Sequence, residues 1–226
     1  RNDKRYIPDH SFKVLSLEDI VKKGLFKRGR HNFKIPMCEP VEFEKRNVII
    51  DPYLMGYLIG DGNFKRVTIT IGEQDLDESS KLLSECNFAY KMHKRKNRAH
   101  SLTYDSLLKK ELSKYFDLSI TSSGKYIPED YLYSSLDDRI AIFNGLMDSD
   151  GTCMKNGCSC FNTKSKQLAK DVRMLVLSLG GFTSIREKRA KYFLYFALFY
   201  IYILLKLNLC SEIYCCSRHF CYRIIV

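Results

Sequence analysis

The sequence predicts an α+β protein built from two similar halves, and three observations support this prediction. Helix-like and strand-like segments alternate along most of the 226 residues, which is typical of a mixed fold. The segment LMGYLIGDG at 54–62 is followed by a similar segment, FNGLMDSDG, at 143–151. The aspartates near their ends, Asp61 and Asp150, lie 89 residues apart, which indicates an internal duplication.

The chain divides into three predicted segments. Residues 1–50 are basic and contain Pro36 and Pro40, so we expect a linker or a small appended module rather than a long helix. Residues 51–134 and 135–226 form the two predicted halves. In each half the order is helix, strands, helix, strands, helix, which is an αββαββα-type unit.

The first half begins with clear helix signals. Asp51 suits a helix cap, Pro52 suits the first helical position, and Gly62 suits the end of the helix. The alternating stretch RVTITIG then predicts a strand. A helix over KLLSEC, a basic hairpin over 88–104 and a helix over DSLLKKELSKYF complete this half.

The second half repeats this order. Ser135 and Asp138 form a capping box before the helix DDRIAIFNGLMDS, and Gly151 ends that helix. A strand and turn region follows, then the helix KSKQLAKDVRMLVLSL and the strand TSIREKRAKYF. The tail after Lys191 is rich in Tyr, Phe, Ile, Leu and Cys and shows no clear periodicity, so we expect it to lack a well-specified structure.

Composition narrows the classes of partner. The chain has 37 Lys and Arg against 26 Asp and Glu, and its net charge of +11 favours a polyanion such as DNA, RNA or an anionic membrane. The apolar run at 192–205 is shorter than the roughly 20 residues that a membrane-spanning helix needs. Nine cysteines without a signal peptide indicate an intracellular protein with reduced thiols, and no cysteine pair has clean zinc spacing.

Small residues recur at equivalent positions of the two predicted motif helices. Gly56 with Gly60, and Gly145 with Ser149, are four residues apart and therefore share a helix face. Two such faces allow helix backbones to approach closely. Large apolar residues on the other faces would pack against the sheets: Leu54, Tyr57, Leu58, Leu146 and Met147.

Each motif helix ends in an acidic residue, although the C-terminal end of a helix carries partial negative charge. Packing the helices together brings Asp61 close to Asp150 and adds their mutual repulsion. A cation between them would offset both costs, and carboxylate oxygens are ligands that suit Mg²⁺. The sequence therefore predicts a metal site at the helix interface of a basic protein.

These segments resemble the paired LAGLIDADG motifs of homing endonucleases. DPYLMGYLIGDG resembles the first motif, KYIPEDYLYSSLDDRIAIFNGLMDSDG resembles the second motif of intein endonucleases, and NTKSKQLAKDVRMLVLSLGG resembles the helix that follows it. The resemblance covers roughly residues 36–191. It implies a pseudo-two-fold duplicated LAGLIDADG fold, with the motif helices at the central interface and saddle-shaped sheets that straddle DNA.

The resemblance also implies a function and an active site. The chain would be the nuclease of an intein, a Mg²⁺- or Mn²⁺-dependent hydrolase that cuts double-stranded DNA at a long recognition site, and it would act as a monomer. Asp61 and Asp150, with Gly60 and Ser149 beside them, would bind metal at the scissile phosphates. Basic residues would assist near each metal centre, and the candidates are Lys94, Lys96 and Lys188.

Other basic residues of the predicted strands and turns are expected to contact DNA. The run YKMHKRKNR at 90–98 is the densest, although lysines also protect exposed strand edges from aggregation. Asp148, whose counterpart in the first motif is Ile59, is given a structural or solvent role. The DNA-binding candidates are Lys65, Arg66, Lys91, Lys94, Arg95, Lys96, Arg98, Lys155, Lys164, Arg186, Lys188 and Arg189.

Two features depart from the family pattern. The splicing nucleophile and the terminal His-Asn pair of inteins are missing, so residues 1–50 would be a linker or a remnant of a splicing domain, and self-splicing is not expected. The tail after Lys191 favours a frameshift over a divergent core strand and helix, which puts the second half-site in doubt. Two alternative functions stay open: an RNA maturase, and a catalytically degenerate remnant that binds DNA. The two intact acids favour the nuclease.

Overall fold

The computed structural model describes residues 13–33, 38–94, 98–153, 159–190 and 196–204. The chain forms two compact units, which divide between Pro36 and Met37. We call them the N-terminal unit and the main unit. The division differs from the expected boundary at residue 50, because residues 38–50 pack within the main unit.

The N-terminal unit consists of helix α1 (Leu17–Lys23) and a hairpin of strands β1 (Phe26–Lys27) and β2 (Arg30–His31). Ser16 begins the helix because its side chain accepts a hydrogen bond from the amide of Asp19. Helix α1 has no buried residue. Its apolar residues Leu17 and Val21 are exposed.

The main unit contains six helices and eight strands in the described ranges. The helices are α2 (Pro52–Asp61), α3 (Leu76–Ser84), α4 (Ser106–Leu112), α5 (Glu129–Leu132), α6 (Leu136–Asp150) and α7 (Lys166–Ser178). The strands are β3 (Gly62–Asn63), β4 (Thr68–Gly72), β5 (Tyr90–Lys94), β6 (Ala99–Tyr104), β7 (Gly151–Cys153), β8 (Ser159–Thr163), β9 (Phe182–Ala190) and β10 (Phe196–Leu204).

The two antiparallel sheets share one topology. The first sheet has the order β3-β4-β6-β5 and the second has the order β7-β8-β10-β9. Each begins directly after a motif helix, α2 or α6, and the two motif helices pack against each other. The predicted α+β fold with an internal duplication is therefore confirmed.

Local sequence signals account for the starts of the main helices. The Asp51 carboxylate accepts hydrogen bonds from the amides of Tyr53 and Leu54, and Pro52 is the first residue of α2. The Ser135 side chain accepts from the amide of Asp138 at the start of α6. The Asp138 carboxylate does not return to the Ser135 backbone as a capping box would require, because it accepts a hydrogen bond from Ser134 at 2.5 Å.

The tail differs from the expectation of an unspecified structure. Residues 196–204 form β10, which pairs with β8 on one side and with all nine residues of β9 on the other. Ile201 of this strand is fully buried. The expectation is therefore wrong for these nine residues, and the frameshift prediction for residues 205–226 concerns residues outside the described ranges. Within the described part of the chain, none of the helices has the length and apolar character needed to cross a bilayer.

Residues 38–50 are held to the second half by a buried arginine. Arg139 of α6 is fully buried, and its guanidinium donates hydrogen bonds to the carbonyls of Ser134, Ser178 and Val41. The same guanidinium lies over the ring of Phe43, 4.8 Å from its centroid. A buried guanidinium with these partners is satisfied, so this segment is an integral part of the main unit.

Candidate active site

The seam between α2 and α6 depends on the small residues identified in the sequence. A Cβ atom at Gly56 would overlap the carbonyl oxygen of Ile142, and one at Gly145 would overlap the carbonyl oxygen of Tyr53. A Cβ atom at Gly60 would overlap the Ser149 side chain. Backbone therefore packs directly on backbone here, and this contact fixes the relative position of the two helix ends.

A steric requirement explains why a glycine follows each of the two aspartates. Gly62 and Gly151 have φ angles of −75° and −79°, so neither requires the left-handed conformation. A Cβ atom at Gly62 would overlap the carbonyl oxygen of Leu58, and one at Gly151 would overlap that of Met147. The Asp-Gly pairs thus let each chain turn from a helix end straight into the first strand of its sheet.

The ends of the motif helices bring Asp61 and Asp150 together with Lys125. Lys125 is 6% exposed, and its ammonium donates to the carbonyls of Leu58 at 3.2 Å, Gly60 at 2.9 Å and Gly62 at 2.8 Å. It also lies over the Phe64 ring, 5.0 Å from the centroid. A cation here opposes the partial negative charge at the C-terminal end of α2.

Burial and charge perturb all three groups. Desolvation by the surrounding protein and, to a smaller extent, the charge of Asp150 raise the pKa of Asp61 to about 7, against the opposing charge of Lys125. Desolvation also raises the pKa of Asp150, again opposed by Lys125. The pKa of Lys125 falls to about 8 because it is buried, although both carboxylates oppose that fall. One ammonium therefore does not fully offset two crowded carboxylates.

Asp148 has a different environment from the two terminal acids. It accepts a hydrogen bond of 3.0 Å from the Tyr53 hydroxyl across the seam. Tyr57 lies on the same side of α2, and its hydroxyl lies 3.3 Å from the Ser79 hydroxyl. Asp148 therefore links the two motif helices, which agrees with the structural role expected for it.

The sequence did not identify Lys125 and proposed other lysines in its place. Lys94 pairs with His100, which is buried and also pairs with the core residue Ile71, so strand alternation places Lys94 on the helix-covered side of the first sheet. Lys188 lies on β9, the edge strand on the opposite side of the second sheet from β7. Lys96 is outside the described residues. The available signal for Lys125 was its place in KYIP, within the stretch that resembles the second motif.

The two other predicted metal neighbours have identified contacts. The Gly60 carbonyl accepts a hydrogen bond from Lys125. The Ser149 hydroxyl donates to carbonyls within its own helix, those of Gly145 at 2.9 Å and Leu146 at 3.0 Å. The Ser149 side chain therefore packs in the seam, so any contribution of Ser149 to a metal site would come from its backbone.

We call the side of each sheet that the helices do not cover its open face. On the first sheet a cavity of about 420 Å³ opens on this face. Its lining combines residues predicted to bind DNA with others that the sequence did not single out: Lys65, Arg66, Thr68, His93, Ser101, Thr103 and Lys109. Lys91 pairs with Thr103, so Lys91 lies on this open face as well.

The remaining DNA-binding candidates are distributed as follows. On β9, Arg186 and Lys188 alternate with Glu187 and with Ile185, which is partly buried against the core, so Arg186 and Lys188 share the open face of the second sheet. Arg98 lies at the β5–β6 turn with a φ of 56°, and Lys164 follows β8 at the surface. Arg95, Lys96, Lys155 and the side chain of Arg189 lie outside the described residues.

Comparison with known proteins identifies a related family. A family model described as a LAGLIDADG-like domain matches residues 137–219. The replicative DNA helicase DnaB of Mycobacterium intracellulare is 24% identical to this chain over 162 residues, which are 72% of this chain and 24% of the helicase. The chain thus spans about a quarter of the length of that relative.

Solved structures of the homing endonuclease I-DmoI have a similar fold. Mesophilic variants of I-DmoI superpose with a TM-score of 0.51 at 19% identity, covering 72% of this chain and 87% of that chain. I-DmoI in complex with DNA and Mn gives a TM-score of 0.51 at 19% identity, covering 75% and 97%. The complex with DNA and Ca gives a TM-score of 0.50 at 18% identity, covering 72% and 87%. At these identities the similarity shows a shared fold.

Proposed function

We infer that this chain, which carries a LAGLIDADG homing endonuclease domain, is a site-specific endonuclease that hydrolyses both strands of double-stranded DNA. One observation carries this inference: Asp61 and Asp150, from the two copies of one motif, meet at the ends of the packed helices beside a buried lysine. The nuclease would act as a single chain, because the internal duplication supplies both halves of the site. I-DmoI, which shares the fold, has been crystallised with DNA.

The donor set at the helix ends fits a divalent cation. Two carboxylates with raised pKa values indicate that the site lacks enough positive charge to keep both ionised. Among the described residues, no group of three or more His, Cys, Asp or Glu could form a complete protein cage for a metal. Two carboxylates completed by phosphate oxygens and water are the arrangement that Mg²⁺ or Mn²⁺ accepts in phosphoryl chemistry.

The chain's own residues would then contribute to hydrolysis as follows. Asp61 and Asp150 would hold the cation, which polarises the phosphate and lowers the pKa of the attacking water when bound. The backbone contact at Gly56 and Gly145 fixes the spacing of these carboxylates, and hence the spacing of the two cuts. The open faces of the two sheets would position the duplex through phosphate contacts.

Lys125 acts as a positioning residue in this proposal. Its three donated hydrogen bonds hold the carbonyls around Asp61, and its charge keeps the pKa values of both acids lower than burial alone would set them. Ionised acids are the form that binds metal. The lysine therefore favours the metal-binding state of the site without itself needing to contact the phosphate.

We further propose that the chain is the nuclease of an intein whose host gene encodes a DnaB-type helicase. The match to DnaB covers 72% of this chain but only about a quarter of that protein, and this chain carries both endonuclease motifs. A nuclease domain has no role in the helicase fold itself, so an inserted element accounts for the partial match. The expected DNA target is then the helicase gene at the point where the insertion would lie.

A cleavage assay tests the proposed function. The substrate is a plasmid carrying an uninterrupted DnaB-type coding sequence, and the control plasmid carries the same gene interrupted at the expected site. The intact chain should linearise the first plasmid and leave the second uncut, in Mg²⁺ or Mn²⁺ but not in EDTA. Binding without cutting would support the degenerate remnant, and binding confined to structured RNA would support the maturase.

Two active-site variants locate the chemistry. Asp61→Asn and Asp150→Asn keep the size of each side chain and remove one ligand charge, so each should lower cleavage by about 100-fold or more. DNA binding in Ca²⁺, measured by gel shift, should be unchanged or slightly tighter, because a negative charge near the phosphates is gone. Asp148→Asn is the matched control, since it changes an aspartate of the same helix that faces Tyr53. Parental cleavage by both active-site variants would refute this assignment.

A further inference from the structure

The N-terminal unit concentrates positive charge at one end. Lys23 lies at the end of α1, and Lys27, Arg28 and Arg30 lie in the β1–β2 hairpin that follows. All four side chains are exposed, and among the described residues no carboxylate lies within 4.0 Å of any of them. The acids in the described part of this unit are Glu18 and Asp19, both in the first turn of α1, and the charge of Lys23 acts on Asp19.

The turn of this hairpin contains a strained residue. Arg28 and Gly29 both have positive φ angles, 53° and 74°, which is the pattern of a type I′ turn. Asn or Gly adopts this conformation more readily than arginine does at the first central position. The positive φ at Arg28 is a conformation that costs a non-glycine residue free energy, so an arginine here is not chosen for the turn itself.

The hairpin is held in place relative to α1. The Asn32 side-chain amide donates hydrogen bonds to the carbonyls of Lys23 at 3.2 Å and Gly24 at 3.0 Å, and the Asn32 backbone amide donates to Leu25 at 2.9 Å. The strands pair Phe26 with His31 and Lys27 with Arg30. The four basic side chains are therefore presented on a braced turn and not on a disordered tail.

We propose that the N-terminal unit is a second DNA-binding surface, which contacts phosphates of the duplex through Lys27, Arg28 and Arg30. This rests on the proposed function, because it extends the same DNA complex. Arginine and lysine side chains without protein partners suit phosphate oxygens, and each phosphate contact releases counterions from DNA. Because one chain links this surface to the main unit, it raises affinity by adding a second attachment to the same duplex.

The test compares variants of the full chain on duplex DNA of random sequence. Changing Lys27, Arg28 and Arg30 together to Ala should weaken binding at low salt by about 10-fold and reduce the slope of log affinity against log salt by up to about three. The control changes Lys166, Lys170 and Arg173, three exposed basic residues of α7, which lies on the helix-covered side of the second sheet. This control removes the same charge and should leave the slope nearly unchanged.

A single substitution separates folding from binding. Arg28→Asn places a residue preferred by a type I′ turn at the strained position, so the hairpin should be retained or stabilised while one cation is lost. Weaker DNA binding by Arg28→Asn, with near-parental binding by Arg28→Lys, is expected. If the triple variant and Arg28→Asn bind as the parent does, the N-terminal surface is refuted and the nuclease assignment is untouched. If the parent itself binds no DNA, both are refuted.

Discussion

Close packing has opposite effects in two regions of the motif helices. One region is the seam along which the helices touch, and the other is the pair of helix ends that carry the acids. Along the seam, Gly56 and Gly145 bring neutral backbone into direct contact, and the half-buried carboxylate of Asp148 accepts a hydrogen bond from Tyr53. At the ends, desolvation raises the pKa of both Asp61 and Asp150, and the charge of Asp150 adds to the rise at Asp61. The seam therefore stabilises the fold, whereas the ends hold an electrostatic cost.

This difference separates stability from function along two short helices. In the seam, the Tyr53 hydroxyl donates to Asp148 and the Ser149 hydroxyl donates to the carbonyls of Gly145 and Leu146, so these hydroxyl groups have hydrogen-bond partners. Carboxylates with raised pKa values at a helix end indicate a site that a cation would stabilise. Lys125 lies at the boundary between the two regions, because its ammonium satisfies the end of α2 and also acts on both acids. Variants of the seam should therefore change the free energy of unfolding, whereas variants of Lys125 should change the rate of cleavage and its pH dependence.

The largest expected effect is on the seam. Gly56→Ala places a methyl group into the backbone of α6 near Ile142, where no side-chain movement can make room. We expect a loss of about 3 kcal/mol or more in the free energy of unfolding, or a drop of roughly 10 °C in Tm. Thermal unfolding followed by circular dichroism measures this change.

A second glycine supplies the control for this prediction. In Gly72→Ala, on β4, the new methyl group would meet only the Asp75 carboxylate at 3.7 Å, an ordinary contact distance. Its Tm should stay within a few degrees of the parent. Equal melting temperatures for Gly56→Ala and the parent would mean that the two motif helices do not pack as described.

The next largest effect is expected on cleavage, from substitution of Lys125 at this boundary. Lys125→Met keeps the length of the side chain but removes the ammonium that lowers the pKa of both acids. Cleavage should fall by about 10- to 100-fold, and the acidic limb of the kcat/KM profile should move to higher pH. Lys125→Arg, which keeps the charge, should restore the position of that limb at least in part. A lower rate with an unmoved pH profile would show that the lysine serves only the fold.

The sequence allowed some of these features to be predicted and not others, for a physical reason. The cap at Asp51, the small residues of the seam and the paired acids depend on spacing within one helix, so they could be found locally. Lys125 could not, because the carbonyls it binds are more than 60 residues earlier in the chain. Its position depends on how the loop before α5 packs against the end of α2.

Prediction of the tail structure and of the faces occupied by strand residues was limited by a related problem. Pairing register decides which face a strand residue occupies, and a shift of one residue reverses the faces. Lys94 could therefore not be assigned to a face until its partner His100 was known. β10 has the sequence FALFYIYIL, which contains no charged or amide residue that could mark a period-two alternation. Its continuous apolar composition consequently gave no periodic signal.

A smaller effect should appear in the pH dependence of stability without metal. The pKa of Asp61 is raised from 3.8 to about 7 in the folded chain, so its contribution to stability is present below pH 3.8 and is lost as pH rises through about 7. Asp61→Asn should unfold like the parent near pH 4. Near pH 8 it should be more stable by about 1 kcal/mol, a figure reduced for the exposure of this side chain.

Metal supplies the control for the pH prediction. With Mg²⁺ present, the ionised carboxylate of the parent gains a partner. The difference in the free energy of unfolding that favours Asp61→Asn near pH 8 should therefore shrink or reverse. Urea unfolding at pH 4 and pH 8, with EDTA or Mg²⁺, gives the four comparisons. A constant difference between the two proteins across these conditions would mean that the ends of the motif helices carry no stored repulsion.

The smallest effect tests whether the open face of the first sheet, and not its covered face, meets DNA. Lys91 and Lys94 lie on the same strand, but Lys91 pairs with Thr103 on the open face and Lys94 pairs with buried His100 on the covered face. Lys91→Ala should weaken binding to random-sequence duplex a few-fold and reduce the salt slope by about one, as the loss of a single phosphate contact does. Lys94→Ala should leave the slope unchanged, although the residue type, the strand and the lost charge are the same. The two variants thus differ only in the face from which the charge is removed. If Lys94→Ala reduces the slope and Lys91→Ala does not, the duplex does not lie across the open face, and the basic cavity formed by Lys65, Arg66 and Lys109 would need another ligand.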